Sequence, residues 1–257
     1  MSERMIQITL IQIDNYGPWT NNLGDDREHK LQTLQADLYS AAQRNFAERD
    51  GLVFFNRFDE MLAVTNGIDV EEHRRIRHAI VEQFPVTVSM GIGVGRTPFE
   101  AQSMASRLLQ REGGAQSEDR KGAIAFERTI RLSESYAQVM HIDVNEITKM
   151  FTNRVSAYET SLGVMSLYVD LMKGFRDHDA LVFFIGGDNF MGLTNGITTK
   201  EIESLLLRHQ SVNGNMSLKC GIGTARSARK AAELATMNLD LIRRTDRSKL
   251  VLASAQP

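Results

Sequence analysis

Leu181 to Gly196, LVFFIGGDNFMGLTNG, is the stretch that decides the fold, because a close copy, VFFNRFDEMLAVTNG, runs from Val53 to Gly67. A Phe-Phe pair, a central aspartate and Thr-Asn-Gly recur at one offset, since 183 − 54, 188 − 59 and 195 − 66 all give 129. Each copy has the pattern of a β-hairpin, with two short aromatic or β-branched runs around a tight turn. In the second copy Gly186-Gly187 supplies the positive φ values of such turns. The pattern therefore places an acid, Asp59 or Asp188, at each hairpin tip.

The composition is that of an ordinary globular chain, with 42% hydrophobic and 24% charged residues among 257. The repeat predicts two domains, residues 1–130 and 131–257. A net charge of −2 gives no reason to expect nucleic acid or an anionic membrane as a partner. No apolar run is long enough for a signal peptide or a membrane span, so we expect a cytoplasmic protein. Cys220, the single cysteine, excludes an intrachain disulfide and a multi-cysteine zinc site.

The remaining elements follow one order in both halves. An alternating strand ends at Asp14 in the first half and at Asp143 in the second, and 143 − 14 is again 129. Helices are predicted over about 26–49, from the cap at Asp69 to about 84, and from Thr97-Pro98 to about 110. The order is β-α-β-β-α-β with a trailing helix and strand. It predicts the α+β class, as two tandem ferredoxin-like domains whose four-stranded antiparallel sheets are backed by helices on one face.

Several other features have structural interpretations. The glycines at 91, 93 and 95 lie within a predicted strand, so we expect close packing of a helix or strand rather than a phosphate loop. Residues 111–122 are expected to form a mobile loop. Asn66 and Asn195, in the repeated Thr-Asn-Gly turns, are candidate base readers, although turn formation explains them more simply. Four methionines are expected in the core: Met150, Met165, Met172 and Met191.

Pairs of carboxylates are the main candidates for chemistry. In a ferredoxin-like sheet the first strand neighbours the central hairpin, so Asp14 should lie near Asp59, and Asp143 near Asp188. Two acids at one sheet end raise each other's pKa unless a cation lies between them, and Mg²⁺ prefers such oxygen ligands together with phosphates and water. Glu60 adds a further acid. The alternative is that these aspartates only hydrogen-bond the backbone of their turns.

A Gly-Pro loop follows Asp14 and consists of Asn15, Tyr16, Gly17, Pro18 and Trp19. Its glycine would let backbone N–H groups approach phosphates, and its two aromatic residues would stack on a base. The loop is therefore a candidate nucleotide-binding segment. The alternative is a tight turn with a half-buried tryptophan.

These motifs resemble a known family. The sequence Ile185 to Phe190, IGGDNF, resembles the Gly-Gly-Asp/Glu-Glu-Phe signature of diguanylate cyclases, which belong to the palm-type nucleotidyl cyclases and polymerases. The whole chain, in order, resembles the archaeal GTP cyclohydrolase III family. The segments that carry this resemblance are Met5 to Thr20, Phe54 to Asp69, Val88 to Gln102 and Gly186 to Ile197.

The resemblance implies a function. The protein would bind GTP, open the guanine imidazole ring and release phosphate, giving 2-amino-5-formylamino-6-ribosylamino-4(3H)-pyrimidinone 5′-monophosphate. Asp14 and Asp59 would hold two Mg²⁺ ions, Glu60 would complete the catalytic acids, and the Asn15 to Trp19 segment would bind the nucleotide. The resemblance also implies activation by K⁺ or another monovalent cation and a homo-oligomer, specifically a tetramer.

Neither half carries a complete cyclase signature. The first hairpin has Arg57-Phe58 in place of the glycines, and the second has Asn189 in place of the second acid. We expect the first half to hold the working site, and Asp143 with Asp188 to be a remnant or a regulatory site. Two alternatives remain open, a diguanylate-type nucleotidyl cyclase and a non-catalytic GTP-binding module.

Overall fold

The computed structural model describes residues 4–117, 119–145, 154–212, 217–245 and 250–256, with the backbone alone at 211–212. The chain divides into two compact units. The first is built mainly from residues 4–96 and 100–136, and the second mainly from 137–226 and 230–256. The expected domain boundary between 130 and 131 stays a prediction. No helix in the described ranges combines the length and the apolar character needed to cross a membrane.

The first unit alternates strands and helices as the sequence predicts. Its elements are β1 (Ile6–Ile13), α1 (Tyr16–Asn21), α2 (Glu28–Ala47), β2 (Leu52–Arg57), β3 (Glu60–Val64), α3 (Val70–Val81), β4 (Val88–Gly95), α4 (Pro98–Arg111) and β5 (Ile124–Phe126), followed by a 3-10 turn at Leu132–Glu134. Asp69 caps α3 in a capping box with Glu72, and Pro98 is the first residue of α4. Both helix starts were predicted and are confirmed.

The first sheet has the strand order β2-β3-β1-β4-β5. Its first four strands are antiparallel, and the predicted antiparallel sheet is confirmed. The edge strand β5 adds a parallel partner to β4, so the five-stranded sheet is mixed. This order places β1 at the centre, between the hairpin strand β3 and β4. A side chain at the end of β1 therefore has neighbours on both sides.

Helices cover both faces of this sheet, and the prediction of one covered face is wrong. One face packs its apolar residues, among them Ile11, Met61 and Met90, against α2 and α3. On the other face a Cβ at Gly91 would lie 2.2 Å from the Ala105 carbonyl oxygen, and one at Gly93 would lie 2.1 Å from that of Ala101. Only glycine allows α4 this close to β4. The packing interpretation of these glycines is thus confirmed.

The second unit has the same strand order, read as β7-β8-β6-β9-β10. Its elements are β6 (Ala137–Val144), α5 (Ala157–Arg176), β7 (Leu181–Gly186), β8 (Asn189–Leu193), α6 (Thr199–Val212), β9 (Leu218–Ala225), α7 (Ala228–Thr245) and β10 (Val251–Ala255). The edge strand β10 is parallel to β9. Of the four methionines expected in the core, Met165 and Met172 are exposed and Met191 is half-buried, while Met150 lies outside the described residues.

Both central hairpins form as predicted. Arg57 pairs with Glu60 and Gly186 pairs with Asn189, which leaves Phe58-Asp59 and Gly187-Asp188 as two-residue turns. Gly186 and Gly187 have φ values of 117° and 62°, a backbone that glycine adopts without strain, and Gly187 is the first residue of the turn. The two acids therefore lie at the hairpin tips.

The Thr-Asn-Gly sequences end these hairpins and tie them to the central strands. The Asn66 side-chain oxygen accepts a hydrogen bond from the Gln7 backbone N–H at 2.8 Å, and Asn195 does the same for Gln138 at 2.9 Å. Both asparagines are buried. Their role is structural, as the simpler interpretation predicted, and the base-reader hypothesis is wrong for them.

A buried polar chain crosses the core of the first unit. His73 Nδ1 donates to the Asp69 carbonyl oxygen at 2.7 Å, because a carbonyl can only accept, so Nε2 accepts from the Thr9 hydroxyl at 2.8 Å. Burial lowers the pKa of His73 from 6.5 to about 4. The histidine is therefore neutral and structural. In the second unit the corresponding residues are apolar, Met140 and Ile202.

Candidate functional site

Asp14 lies directly beyond the end of β1 and is buried. Its carboxylate accepts hydrogen bonds from three groups: Ser89 Oγ at 2.6 Å, Thr87 Oγ1 at 2.8 Å and the Gly122 backbone N–H at 2.8 Å. Thr87 and Ser89 come from the start of β4, and Gly122 comes from the loop after α4. The carboxylate is thus fixed between a central strand and this loop.

A fourth group on Asp14 is the guanidinium of Arg120, which comes from the same loop. Arg120 Nε lies 3.4 Å from Asp14 Oδ1, an ion pair without hydrogen-bond geometry, and only 2% of the Arg120 side chain is exposed. Arg120 Nη1 donates to the Gly113 carbonyl at 3.5 Å, whereas Nε and Nη2 have no hydrogen-bond partner within the described ranges. A buried guanidinium with orphaned N–H groups is costly, and an anionic acceptor would satisfy it.

The loop that carries Arg120 was expected to be mobile, and no part in the chemistry was predicted for it. It instead closes over Asp14, and Arg77 of α3 holds it by donating to the Gly122 carbonyl at 2.6 Å. The backbone N–H of Asn15 also donates to Ala115 of this loop, at 2.8 Å. Residues 113–117 and 119–122 are therefore part of the site.

Asp59 and Glu60 lie beside the same end of β1, as predicted. The backbone N–H of Ile13, the residue before Asp14, donates to the Asp59 carbonyl oxygen at 3.0 Å. This hydrogen bond fixes the hairpin tip against the end of β1. Both carboxylates pair with Arg57, at 3.4 Å for Asp59 and 2.7 Å for Glu60. Glu60 also accepts from the Gln12 side chain at 2.5 Å. The acids share one sheet end, while the Asp14 carboxylate is turned toward β4.

The expected Gly-Pro loop is a short helix, α1, and the loop prediction is wrong. Asn15 precedes it with a left-handed backbone, φ 50°, and the Trp19 N–H donates to the Asn15 carbonyl at 2.9 Å. Tyr16 and Trp19 stack, with ring centroids 6.3 Å apart, because they lie one turn apart on the helix. Gly17 lies within the helix, and Pro18 is exposed. All five predicted residues therefore follow Asp14 in one compact segment.

Tyr16 and Asn15 each have a side-chain oxygen in this segment. The Tyr16 hydroxyl accepts from Gln35 of α2 at 2.5 Å, and burial raises the pKa of Tyr16, with the charge of Asp59 adding to the rise. Tyr16 is therefore a neutral phenol near Asp59. Asn15 Oδ1 is buried and has no hydrogen-bond partner in the described part of the chain. This orphaned oxygen is a potential ligand for a cation or acceptor for a donor.

The second unit has a different arrangement at the corresponding strand end. Val144 N–H donates to the Asp188 carbonyl at 3.2 Å, as Ile13 does to Asp59, and Asn145 N–H donates to Ser217 at 2.7 Å, as Asp14 does to Thr87 at 2.9 Å. Both 144 − 13 and 145 − 14 give 131. The residue that corresponds to Asp14 is thus Asn145, and the match of Asp143 to Asp14 is wrong.

Asp143 instead lies within β6 and is neutralised. It forms an ion pair with Arg243 of α7, and in the ladder it lies opposite Lys219, a buried residue of β9. Asp143 is near Asp188, as predicted, because its charge adds to the effect of burial in raising the pKa of Asp188. The charge of this acid is therefore balanced by Arg243 of its own unit, with Lys219 as its ladder partner.

Sequence reasoning located the acids and the adjacent segment but missed the groups that hold them. Thr87, Ser89 and Arg120 have no motif of their own, and the loop from 111 to 122 has only a high density of polar residues. In the described residues, no group of three or more His, Cys, Asp or Glu side chains is placed to hold a metal ion. A metal at this site would need ligands from a bound substrate.

Comparisons with known proteins agree on one family. The model of the GTP cyclohydrolase III family matches residues 5–256. The protein named GTP cyclohydrolase III from Methanothermobacter thermautotrophicus is 52% identical over 241 residues, 93% of this chain and 95% of that protein. The one from Methanocaldococcus jannaschii is 44% identical over 239 residues, 93% of this chain and 88% of that protein.

Among solved structures, the active GGEEF domain of a diguanylate cyclase from Vibrio cholerae is similar to part of the chain. Its TM-score is 0.36 and its sequence identity is 10%, over 48% of this chain and 83% of that domain.

Proposed function

Because this chain belongs to the GTP cyclohydrolase III family, we propose that it hydrolyses GTP at the imidazole ring of guanine. Water adds at C8 and the C8–N9 bond breaks, so the formyl group stays on the former N7. Hydrolysis of the phosphoanhydride bonds releases phosphate. The product is 2-amino-5-formylamino-6-ribosylamino-4(3H)-pyrimidinone 5′-monophosphate.

The observation that carries this proposal is the buried Arg120 guanidinium. Its Nε and Nη2 atoms have no hydrogen-bond partner among the described residues, although its charge is held against Asp14. Phosphate oxygens match a guanidinium in charge and geometry. We infer that Arg120 binds the polyphosphate of GTP and that Asp14 orients Arg120.

The residues at this sheet end fit Mg²⁺ in chemistry. Asp14, Asp59 and the orphaned Asn15 Oδ1 offer hard oxygen ligands, and phosphate oxygens and water would supply the rest. Asp14 already has four contacts, which is the capacity of a carboxylate. Asp14 would therefore hold Arg120 in place before nucleotide and metal bind, and a metal that it ligates would then replace the weakest contact, the 3.4 Å ion pair with Arg120. When bound, Mg²⁺ would neutralise phosphate charge and lower the pKa of a coordinated water. We propose two such ions, with Asp14 and Asp59 as ligands.

The neighbouring side chains have roles that need no metal. Glu60 is held by Gln12 and Arg57, so it is positioned as a base or as an orienting group beside Asp59. Tyr16 and Trp19 present a stacked aromatic pair on α1 for the guanine base. The Asn15 to Trp19 segment would thus bind the base while Arg120 binds phosphate, which leaves the imidazole ring near the acids.

An optical assay tests the reaction. Purified protein is incubated with GTP, Mg²⁺ and K⁺, and the ultraviolet spectrum is followed together with phosphate release. We expect the guanine chromophore to be lost, phosphate to be released, and both to cease when EDTA is added or when ATP replaces GTP. Replacing K⁺ by a bulky organic cation should lower the rate if a monovalent cation activates the enzyme.

Other outcomes identify the alternatives. An unchanged guanine spectrum with pyrophosphate release would show a nucleotidyl cyclase and overturn the proposal. GTP that binds and is recovered intact would show a binding module.

A further inference from the structure

Helix α5 exposes an apolar stripe that its own core does not need. Its inner face buries Val164, Leu167, Leu171 and Phe175. Its outer face exposes five apolar side chains: Tyr158 (76%), Leu162 (56%), Met165 (37%), Val169 (44%) and Met172 (40%). Their spacing along the helix is 4, 3, 4 and 3 residues, which is the heptad spacing of a coiled-coil seam.

The corresponding helix of the first unit, α2, lacks this stripe. The buried faces match at an offset of 129, since 167 − 38 and 175 − 46 both give 129, and Leu38 and Phe46 are buried as Leu167 and Phe175 are. At the same offset, the α2 residues that correspond to the outer stripe are His29, Thr33, Ala36, Ser40 and Gln43. The fold of one unit therefore forms without an apolar outer face on this helix, and the stripe on α5 needs another explanation.

We propose that the α5 stripe is the seam of an antiparallel helix pair with a second copy of this chain. A heptad seam packs best against another helix of similar spacing, and a twofold axis supplies one from the same sequence. In the antiparallel register Leu162 meets Met172 of the second copy and Met165 meets Val169, because 162 + 172 and 165 + 169 both equal 334. Each apolar residue in the centre of the seam then has an apolar partner.

Charges beside the seam favour this direction. Glu159 and Lys173 are exposed and lie on the same flank of the stripe, fourteen residues apart. In the antiparallel register this flank faces its own copy, so Glu159 meets Lys173 of the second copy at both ends of the pair. In a parallel pair this flank would face the opposite flank, and these two charges would not meet. Ser166, midway between them, would lie opposite Ser166 of the second copy.

Cross-linking tests the register. Ser166→Cys should form a disulfide-linked dimer under mild oxidation, seen on a non-reducing gel, because the two serines face each other. The native Cys220 is fully buried and burial raises the pKa of its thiol, so it gives little background. Asp37→Cys is the matched control, since 166 − 37 is 129 and Asp37 is also exposed, on α2. A dimer equally abundant in both variants, or in neither, would overturn the antiparallel register.

Light scattering tests the seam itself. The wild-type chain should have a mass that is an even multiple of 28.9 kDa, and Met165→Glu should halve it. Ala36→Glu, the same change at the matched position of α2, should leave the mass unchanged and controls for the added charge. A monomeric wild type, or a mass that Met165→Glu does not change, would overturn the proposal. Mass and GTP turnover are measured separately, so failure of the proposed function would be distinguishable.

Discussion

The two units end their central strands differently, although their sheets have the same order. In the first unit the residue after β1 is Asp14, which is held by Ser89 and Thr87 and paired with a guanidinium that retains unsatisfied N–H groups. In the second unit the same backbone position is Asn145, whose Nδ2 donates to Ser217 at 2.8 Å. The strand end of the first unit is anionic, and the guanidinium beside it has N–H groups that no described residue accepts. The strand end of the second unit is a neutral turn at Asn145. Among the described residues, the same backbone position therefore holds a buried carboxylate in the first unit and a neutral amide in the second.

The acid of the second unit is displaced by two residues. Asp143 corresponds to Gln12 in the ladder, since Gln12 lies opposite Glu60 and Asp143 lies opposite Asn189. At that position it pairs with Arg243 and lies opposite Lys219 of β9, whereas Asp14 accepts hydrogen bonds from Thr87 and Ser89. The charge has been retained and its surroundings changed, so a carboxylate in a repeated motif does not by itself indicate a repeated site.

Substitution of the two acids, Asp14 and Asp143, is the strongest test of this difference between the units. Asp14→Asn keeps the shape of the side chain and removes the charge that orients Arg120, so we expect kcat/KM for GTP to fall by about 1000-fold, or about 4 kcal/mol. Asp143→Asn should change it by less than about threefold. Steady-state kinetics by the optical assay measures both. A large loss in Asp143→Asn with little loss in Asp14→Asn would place the working site in the second unit.

The two arginines provide a second test. Arg120→Gln should lower kcat/KM by about 100-fold and weaken GTP binding, because a buried charge-assisted contact to phosphate is lost. Arg120→Lys should recover little of this, since an ammonium lacks the planar fork of a guanidinium. Arg243→Gln should bind GTP as the wild type does. Calorimetric titration with GTP gives the dissociation constants, and equal effects of Arg120→Gln and Arg243→Gln would contradict the assignment of the phosphate site.

The smallest expected effect comes from His73, a titratable residue in the core of the first unit, whose counterpart in the second unit is the apolar Ile202. His73 is buried with its pKa lowered to about 4, whereas the unfolded chain takes up the proton near 6.5. Between these values the unfolded state binds more protons, so the stability of the first unit should fall as the pH is lowered from 6.5 toward 4. At about pH 5 the loss should be about 2 kcal/mol relative to pH 7.5.

Urea unfolding of wild type and His73→Gln at the two pH values measures this effect. Glutamine does not titrate, so the variant should lack this part of the pH dependence, whatever stability it loses at both pH values. Ile202→Val, at the corresponding position of the second unit, should keep the wild-type dependence. Equal pH dependence in wild type and His73→Gln would show that folding does not lower the pKa of His73.

Much of the fold follows from local sequence. The hairpins are specified by short apolar runs and by Gly186-Gly187, and the helix starts by Asp69 and Pro98, because turn and cap residues act on their immediate neighbours. The helix α1 was missed because Gly17-Pro18 is typical of a turn, and a six-residue helix has no room for an apolar period. The parallel edge strand β5 was predicted as a strand, but its direction depends on the path of the chain after α4.

The site was predicted only in part, for a related reason. Asp14, Asp59 and Glu60 were found because they recur beside strands and turns, whereas Arg120 lies more than one hundred residues from Asp14 in a loop without a pattern. The correspondence of Asp143 to Asp14 failed because the offset of the hairpins, 129, differs from that of the central strands, 131. Helix α5 has apolar residues on two faces, so its sequence does not specify which face packs inward. Met165 and Met172 were misplaced for that reason.

The contact between β4 and α4 also determines how substitutions in this protein should be interpreted. A side chain at Gly91 or Gly93 would overlap the α4 backbone, so every replacement there moves the helix, and with it the attached loop that carries Arg120. In a saturation mutagenesis screen for turnover, these two positions would be as intolerant as Asp14. Their intolerance would reflect helix placement, and the Gly-x-Gly spacing would imitate a nucleotide-binding motif that is not there.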